Sequence, residues 1–563
     1  MNDNITVRCH DCETLKQVAM GTPLTEVAAQ CSAAGELPRP VLAAYVDNRI
    51  KELCYRVCKP VTIRFIDITS AEGHRVYQRT AVFMLQKAAH ELYPDCRLLV
   101  RHSLGSGVYF ELKENSATVA APDSAAAAAA LCDRMRAIAE ADYPISRRRM
   151  TTDEVREIYR RRGFDDKIAL LDTRPRLYSE LCTMDDECGY FYGALAPSSG
   201  CIRTFGIKPY LRGYYLMLPD PADPSSLRDE IHADKMAEVF SGYKQWVDVM
   251  GVPTVGRLNA KVLAGEAGDL VKIAEAFHEK QLAAIADSID SANRSRGLRM
   301  VLISGPSSSG KTTFAKRLGI QLRILGLNPV LISLDDYFVD RDKTPLDENG
   351  DYDYEALEAI NLTLFNDHLT RLTRGESIAM PRYDFISGRS QLDCTPLTLD
   401  ERSILVIEGI HGLNPRLTPS VPDSMKFKIY ISCFTTVAMD NLSRIHTTDN
   451  RLLRRLIRDS RTRGANAVST LSRWASVRRG EERHIVPYQE NADVMFNSSL
   501  FYELAVLRPF AEPLLREVPD TEPVYAEAHR MLKFLDAFTP IDAAEVPPSS
   551  LLREFVGGSS FKD

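Results

Sequence analysis

The sequence predicts a multidomain protein in which an α/β domain with a parallel sheet follows a β-grasp domain and an α+β domain. Three observations predict it. From residue 299 apolar strands ("RMVLISG", "NPVLISLDD", "SILVIEG", "FKIYIS") alternate with helical stretches, the pattern of a parallel sheet covered on both faces. The glycine-rich stretch "GPSSSGKTTF", residues 305–314, lies between the first of those strands and the helix "TTFAKRLGIQLRILG". Residues 5–66 alternate in a β manner around one short helical stretch, "PLTEVAAQCSAA".

Taken in order, residues 1–66 form the β-grasp unit, with strands in "ITVRC", "VLAAYVDNRI" and "VTIRFIDI". Residues 67–218 form the α+β unit: a helix, "RVYQRTAVFMLQKAAHELYP", strands near "LLVRHSLGSGVYFEL", an Ala-rich helix and a strand-rich part ending at "LRGYYLMLP". "PDPADPSS" reads as a linker, and the periodicity of "KMAEVFSGYKQWVDVM" and "GDLVKIAEAFHEKQLAAIADSIDSANRSRG" makes 219–296 a helical connector. The α/β domain takes 297–520, and 521–563 is a C-terminal helix and tail.

Composition excludes several classes. The 563 residues are 45% hydrophobic and 26% charged, which is ordinary globular material. The formal net charge of -6 gives no global basic field for nucleic acid or anionic lipid, so any polyanion site is local. The longest apolar stretch, "SAAAAAALC", is far short of the ~20 residues of a membrane span and reads as a plain helix. The opening "MNDNITVRCHDCETL" is polar, and the expected location is the cytosol. Of 12 cysteines only Cys9 and Cys12 form a C-x-x-C, without a second pair or a His pair nearby, so incidental thiols are expected rather than a metal or redox centre.

Gly305, Gly310, Lys311 and Thr312 satisfy G-x-x-x-x-G-K-[ST] in the strand-to-helix context that the pattern needs. The glycines let the backbone wrap closely, so that N–H groups of the loop and the helix N-terminus at Thr312 and Thr313 face the phosphates. Gly305, Pro306, Ser307, Ser308, Ser309, Gly310, Lys311, Thr312 and Thr313 are the expected nucleotide-binding residues. Lys311 reaches the terminal phosphates and Thr312 ligates Mg²⁺. No N-K-x-D stretch is present to read guanine.

The second strand ends in "SLDDYF", which puts Asp335 at the ligand crevice of a parallel sheet as a candidate base for a substrate hydroxyl. "SILVIEGIHGLN" brings Glu408 to the sheet edge as a carboxylate for Mg²⁺. In "DNRLLRRLIRDSRTRG", Arg451, Arg454, Arg455 and Arg458 recur at i, i+3, i+4 and i+7 and share one helix face. Such a face is expected to be a lid that closes over transferring phosphates, with a solvated face as the alternative.

Residues 299–500 resemble the uridine kinase and phosphoribulokinase family, on "GPSSSGKTT", "LISLDDYF", "MPRYDF", "LVIEGIHGL", "RRLIRDSRTRG" and "NADVMFNS" in family order. The resemblance implies an ATP- and Mg²⁺-dependent kinase. It makes Asp335 the base, Glu408 the Mg²⁺ partner beside Thr312, Arg458 and Arg463 lid residues, and Asp353 and Tyr383, with Arg455, part of the acceptor pocket. The chain departs from uridine kinases where they carry a His after "YDF", an Arg after "RG" and a Gln further on: here stand Gly388, Ala465 and Arg473. The resemblance therefore supports phosphotransfer better than uridine as the acceptor.

The N-terminal part is similar to something else. "ITVRC", "GTPLTEVAAQ" and "VLAAYVDNRIKEL" resemble a TGS domain, and "EGHRVYQRTAVFMLQKAAHELYP" through "YFYGALAPSSGCIRTFGI" resembles the editing region of threonyl-tRNA synthetase. Where that chemistry needs two His, a Cys and a further His, this chain has Arg79, Phe83, Phe191 and Leu195, so a fold kept for binding, regulation or assembly is expected. His74, His90 and His102 read as ordinary histidines. The sequence reading is a cytosolic kinase for a hydroxyl of a nucleoside, uridine- or cytidine-like, or of a related small molecule. A sugar or polyol kinase and a tRNA-associated nucleotide-binding regulator are the alternatives, and oligomerisation stays open.

Overall fold

The computed structural model describes residues 4–11, 14–114, 117–118, 124–227, 234–348 and 350–561. The N-terminal sheet runs β2–β1–β5–β3–β4, built from β1 (Asn4–Cys9), β2 (Thr14–Ala19), β3 (Ala43–Val46), β4 (Arg49–Lys51) and β5 (Val61–Ile66). β1 and β5 pair in parallel and the other neighbours antiparallel, with α1 (Leu24–Ala33) as the covering helix of this β-grasp. The alternation seen in "ITVRC" has its cause here, since Ile5, Val7 and Cys9 bury against Leu24, Val27 and Cys31 of α1. Cys9 Sγ lies 3.9 Å from Cys31 Sγ. Cys12 lies outside the described residues.

The second region packs α2 (Ala71–Leu92) and α3 (Ser124–Ala141) on β6 (Cys96–Leu104) and β7 (Gly107–Glu114). It also contains β8 (Ile145–Thr151), α4 (Thr152–Arg162), α5 (Asp165–Asp172), β9 (Tyr178–Met184) and β10 (Glu187–Gly189). β11 (Gly206–Tyr210) and β12 (Gly213–Met217) complete the sheet with β7, and β8–β9–β10 is a separate antiparallel sheet. Ser70 caps α2 by accepting the Gly73 N–H at 3.0 Å. The stretch read as a linker forms a small hairpin, Pro219–Asp220 with Asp223–Leu227, because its prolines fall where a two-stranded ribbon tolerates a missing donor.

The helices read as a connector are part of the C-terminal core. α6 (Asp234–Val249), α7 (Val255–Leu263) and α8 (Ala267–Arg296) bury Val247, Leu258 and Ile285 in the same cluster as the strand residues Val301 and Ile303. The parallel sheet runs β14–β17–β13–β18–β19, from β13 (Met300–Ser304), β14 (Asn328–Ser333), β17 (Ser403–Glu408), β18 (Lys426–Ser432) and β19 (Val494–Asn497). Its strands alternate between two layers: Val301 and Ile303 face α8 and α9 (Lys311–Ile324), while Met300 and Leu302 face α10 (Leu362–Thr373). β15 (Ile378–Asp384) and β16 (Arg389–Leu397) form a hairpin at the edge.

The chain closes with α11 (Thr447–Thr462), α12 (Ala467–His484), α13 (Glu503–Arg516), α14 (Tyr525–Leu535) and α15 (Arg553–Val556). The segment expected as a tail is packed instead: Leu551, Leu552 and Phe555 join the main core because they are large, apolar and spaced to face α9 and α11. Among the described residues no helix is long and apolar enough to cross a membrane.

Candidate active site

The site gathers at the C-terminal ends of β13, β14 and β17, where the loop 305–310 turns into α9. Both loop glycines are needed locally. A Cβ on Gly305 would sit 2.0 Å from the Ile431 carbonyl oxygen, and Gly310 has φ +88°, which any other residue adopts only under strain. Ser308 and Ser309 lie in this wrap with buried hydroxyls that have no hydrogen-bond partner among the described residues. Pro306 accepts the Ser309 N–H at 3.2 Å and the Lys311 Nζ at 3.4 Å.

The strand ends bring three oxygens to one point. Thr312 Oγ1 and Ser333 Oγ each donate to Glu408 Oε1 at 2.9 Å, and Ser333 Oγ also accepts the Asp335 N–H at 3.3 Å. Burial, reinforced by the charge of Asp335, pushes the Glu408 carboxyl up to about 7, although Lys311 works against it. Burial also pulls Lys311 below its ordinary value, opposed by the charges of Glu408 and Asp335. A carboxylate held at that cost, with two hydroxyls on one of its oxygens, is a donor set of hard oxygens that fits Mg²⁺.

The arginine helix is neither a solvated face nor a uniform lid. Arg454 is fully buried: Nε donates to Glu503 at 3.0 Å, Nη2 to the Ser498 carbonyl at 2.8 Å, and Nη1 reaches the Ser308 carbonyl at 3.4 Å. Arg451 is buried in an ion pair with Glu481, and its Nε donates to the Ser307 carbonyl at 2.9 Å. These two brace the loop by satisfying the sequential carbonyls of Ser307 and Ser308.

Arg455, Arg458 and Arg463 instead converge on Asp459, at 3.2, 2.8 and 3.8 Å. Burial would raise the Asp459 carboxyl, but the three guanidiniums hold it below its ordinary value. One carboxylate does not balance three cations. Burial and repulsion from Arg458 bring Arg463 down to about 10, and Asp335 is among the groups that oppose the shift. Arg455 also donates to Ser307 Oγ at 3.1 Å, so it touches the loop as well as Asp459.

Two further clusters hold residues expected on the acceptor side. Tyr383 is buried against Phe338, and its ring lies 5.6 Å from that of Phe338 and 5.1 Å from that of the exposed Phe385, which the Arg463 guanidinium covers at 4.3 Å. In the second, Asp353 pairs with His484 at 3.3 Å near Glu355, whose carboxyl burial pushes up to about 7. Gly388 takes φ +72° at the β15–β16 turn, and a Cβ there would meet Arg341 at 2.7 Å. Arg473 stacks over the Tyr354 ring at 5.3 Å, and Ala465 follows Gly464, whose φ of +62° ends α11.

Asp459 was readable from its i,i+4 spacing to Arg455 and Arg463. Glu481 and Glu554, which both touch the loop, stand 174 and 241 residues from their partners and leave no local signal. In the N-terminal region Arg79, Phe83, Phe191 and Leu195 are each held by packing or hydrogen bonds. Phe83 packs on Phe191 at 5.1 Å, Arg79 donates to the Ala194 carbonyl at 3.0 Å and to Glu72 at 2.8 Å, and Leu195 is buried. His74 meets the Ser106 carbonyl oxygen at 3.1 Å, His90 pairs with Glu187 at 3.0 Å, and His102 stacks on Phe240 at 4.6 Å.

Residues 300–501 match the sequence model of the Phosphoribulokinase / Uridine kinase family. The C-terminal region belongs to that family. This kinase-family region is 28% identical over 194 residues to the uridine kinase of Halobacterium salinarum, covering 34% of this chain and 77% of that protein. The N-terminal region is similar to the threonine–tRNA ligase of Symbiobacterium thermophilum, 26% identical over 203 residues. That match covers 36% of this chain, which spans under a third (30%) of the ligase. Among solved structures, a "Possible Uridine Kinase" from Bacillus stearothermophilus aligns at TM-score 0.27 and 20% identity, covering 39% of this chain and 98% of that one.

Proposed function

We propose that the protein is an ATP- and Mg²⁺-dependent kinase that phosphorylates a hydroxyl of a nucleoside, uridine- or cytidine-like, or of a related small molecule. The observation that carries this reading is the meeting of Thr312, Ser333 and Glu408 on one carboxylate oxygen, with Lys311 and Asp335 in electrostatic reach. Thr312 and Glu408 would hold Mg²⁺, which when bound neutralises charge on the transferring phosphoryl group. Gly305, Pro306, Ser307, Ser308, Ser309, Gly310 and Thr313 cradle the remaining phosphates, and Lys311 orients the terminal one. Asp335 takes the acceptor proton, while Arg458 and Arg463 stabilise the charge that develops and exclude water. Asp353, Tyr383 and Arg455 frame the acceptor.

A second reading, a sugar or polyol acceptor, is favoured by Arg341, which covers the Gly388 turn and donates to the Phe385 carbonyl at 2.8 Å where uridine kinases present a His. ADP release from ATP and Mg²⁺ over a panel of nucleosides, sugars and polyols decides between them. A nucleoside as best acceptor supports the first reading and a sugar or polyol the second. No turnover on the panel, together with salt-dependent tRNA binding, would replace both by an RNA-associated role.

A further inference from the structure

We propose that the Glu554 carboxylate is a built-in competitor for the phosphate-binding loop, seated on donors that a nucleotide phosphate must take from it. The inference rests on the reading of that loop as a nucleotide site. Thr313 is the third residue of α9, so its N–H has no partner within the helix. That N–H goes to Glu554 Oε2 at 3.3 Å, and Thr313 Oγ1 donates to the same oxygen at 2.7 Å. A helix start favours an anion through its aligned dipoles and free amides, and here a side chain of the same molecule is the anion.

The strap that carries Glu554 is fixed by packing, so the competition is a matter of one side chain. Leu551, Leu552 and Phe555 are 1%, 0% and 0% exposed. Leu551 lies so close to the loop that a Cβ on Gly310 would come within 2.4 Å of its Cδ2. From α11, Arg461 donates to the Phe555 carbonyl, and Arg454 lies under the Phe555 ring at 5.0 Å. Glu554 itself is half-buried and has no ion-pair partner among the described residues. Its charge acts on Lys311, the residue that serves the terminal phosphates.

Glu481 offers an internal contrast. It also accepts a loop amide, Ser307 N–H at 3.1 Å, but its ion pair with Arg451 is buried and anchors the loop. Glu554 has no such tie. A phosphate and this carboxylate cannot both hold the Thr313 donors, so the apparent nucleotide affinity is lowered by the fraction of molecules in which Glu554 is seated. The step is a rotation of the Glu554 side chain into solvent, with the strap backbone left in place.

The test is calorimetric titration of ATP with Mg²⁺ into the full chain as wild type, Glu554→Gln and Glu554→Ala, with adenosine as the phosphate-free control. ATP should bind about tenfold more tightly to both variants, and adenosine should bind all three alike. Should Glu554→Ala melt early, Glu554→Gln, which keeps the shape and removes the charge, decides. ATP binding by the wild type that is unchanged or weakened in Glu554→Gln overturns the proposal, as does an equal gain for adenosine, which would report loosening rather than displaced charge. Absence of ATP binding in all three proteins overturns the nucleotide reading of the loop, and this inference with it.

Discussion

Lys311 is half-buried against Glu408 and Asp335, not the exposed loop lysine that a bare motif suggests, and this decides what its removal does. Lys311→Ala relieves a desolvated cation, so the fold should keep its melting temperature within a few degrees while phosphoryl transfer falls by about 10²-fold or more; near-normal turnover would remove the lysine from the phosphates. Asp335→Asn keeps size and hydrogen bonding but cannot take a proton, so turnover should fall ~10²- to 10⁴-fold with ATP affinity little changed. Glu408→Gln should instead raise the Mg²⁺ concentration for half-maximal rate, and identical phenotypes would show that the two carboxylates are not doing separate jobs. Glu355 gives a prediction in pH. Its folded value of about 7 lies above the ordinary 4.5 because it is buried, with Glu481 and Asp353 adding to the shift and Arg455 and Arg473 opposing it. The folded state therefore prefers the neutral acid, and that stability is present below pH ~4.5 and lost as pH rises through about 7. Glu355→Gln, fixed neutral, should be more stable than wild type at pH 8 by on the order of 1–3 kcal/mol and little different at pH 5; equal denaturation midpoints at both pH values would contradict it.

At the scale of elements, α11 shows what spacing says and what it leaves out. The i, i+3, i+4, i+7 arginines are on one helix as the sequence indicates, yet Arg451 and Arg454 are swallowed by Glu481 and Glu503, and only Arg455 and Arg458, with Arg463 beyond, surround Asp459. Periodicity reports direction on a helix, while the partners that divide a face come from α12 and α13, far along the chain. The loop, Asp335 and Glu408 were legible because each lies within a few residues of a strand end that fixes it. Glu481, Glu554 and the packed segment after α14 were not, since nothing local marks a carboxylate for a partner 174 or 241 residues away. The connector helices were legible as helices from their apolar stripes, but the sheet that those stripes cover lies elsewhere in the sequence. The division of α11 is testable. Arg454→Ala strands Glu503 in the core and should cost about 3–5 kcal/mol in denaturant unfolding, whereas Arg458→Ala should leave stability within about 1 kcal/mol and lower turnover. Reversed effects would return Arg454 to the phosphates.

Across the whole molecule, a buried chain of charges ties the synthetase-like region to the helix that carries those arginines. Asp449 in the first turn of α11 pairs with Arg530 of α14 at 2.7 Å, Arg530 pairs with Glu527 at 2.7 Å, Glu527 meets Arg75 at 3.4 Å, and Arg75 and Arg79 share Glu72 at 2.8 Å each. Burial would raise the Asp449 and Glu72 carboxyls, but the guanidiniums beside them hold both below their ordinary value, so the chain is charged throughout at neutral pH. Arg79, which stands where the resemblance puts an editing residue, is thus the far end of a link to α11. Its guanidinium completes the pairing of Glu72. Arg530 of α14 pairs with Asp449 of α11, and Arg530→Met fills its volume while leaving Asp449 buried without its ion-pair partner and Glu527 with Arg75 alone. By stranding Asp449, that variant should lose about 3–5 kcal/mol, and a single denaturant transition in the wild type should separate into two as the N-terminal region uncouples from α11. Adding Asp449→Asn to Arg530→Met removes the worst of the stranded charge and should recover part of the loss. If Arg530→Met unfolds within 1 kcal/mol of the wild type and in one transition, the regions are held together by their apolar contacts, and the charged chain is a passenger on that interface.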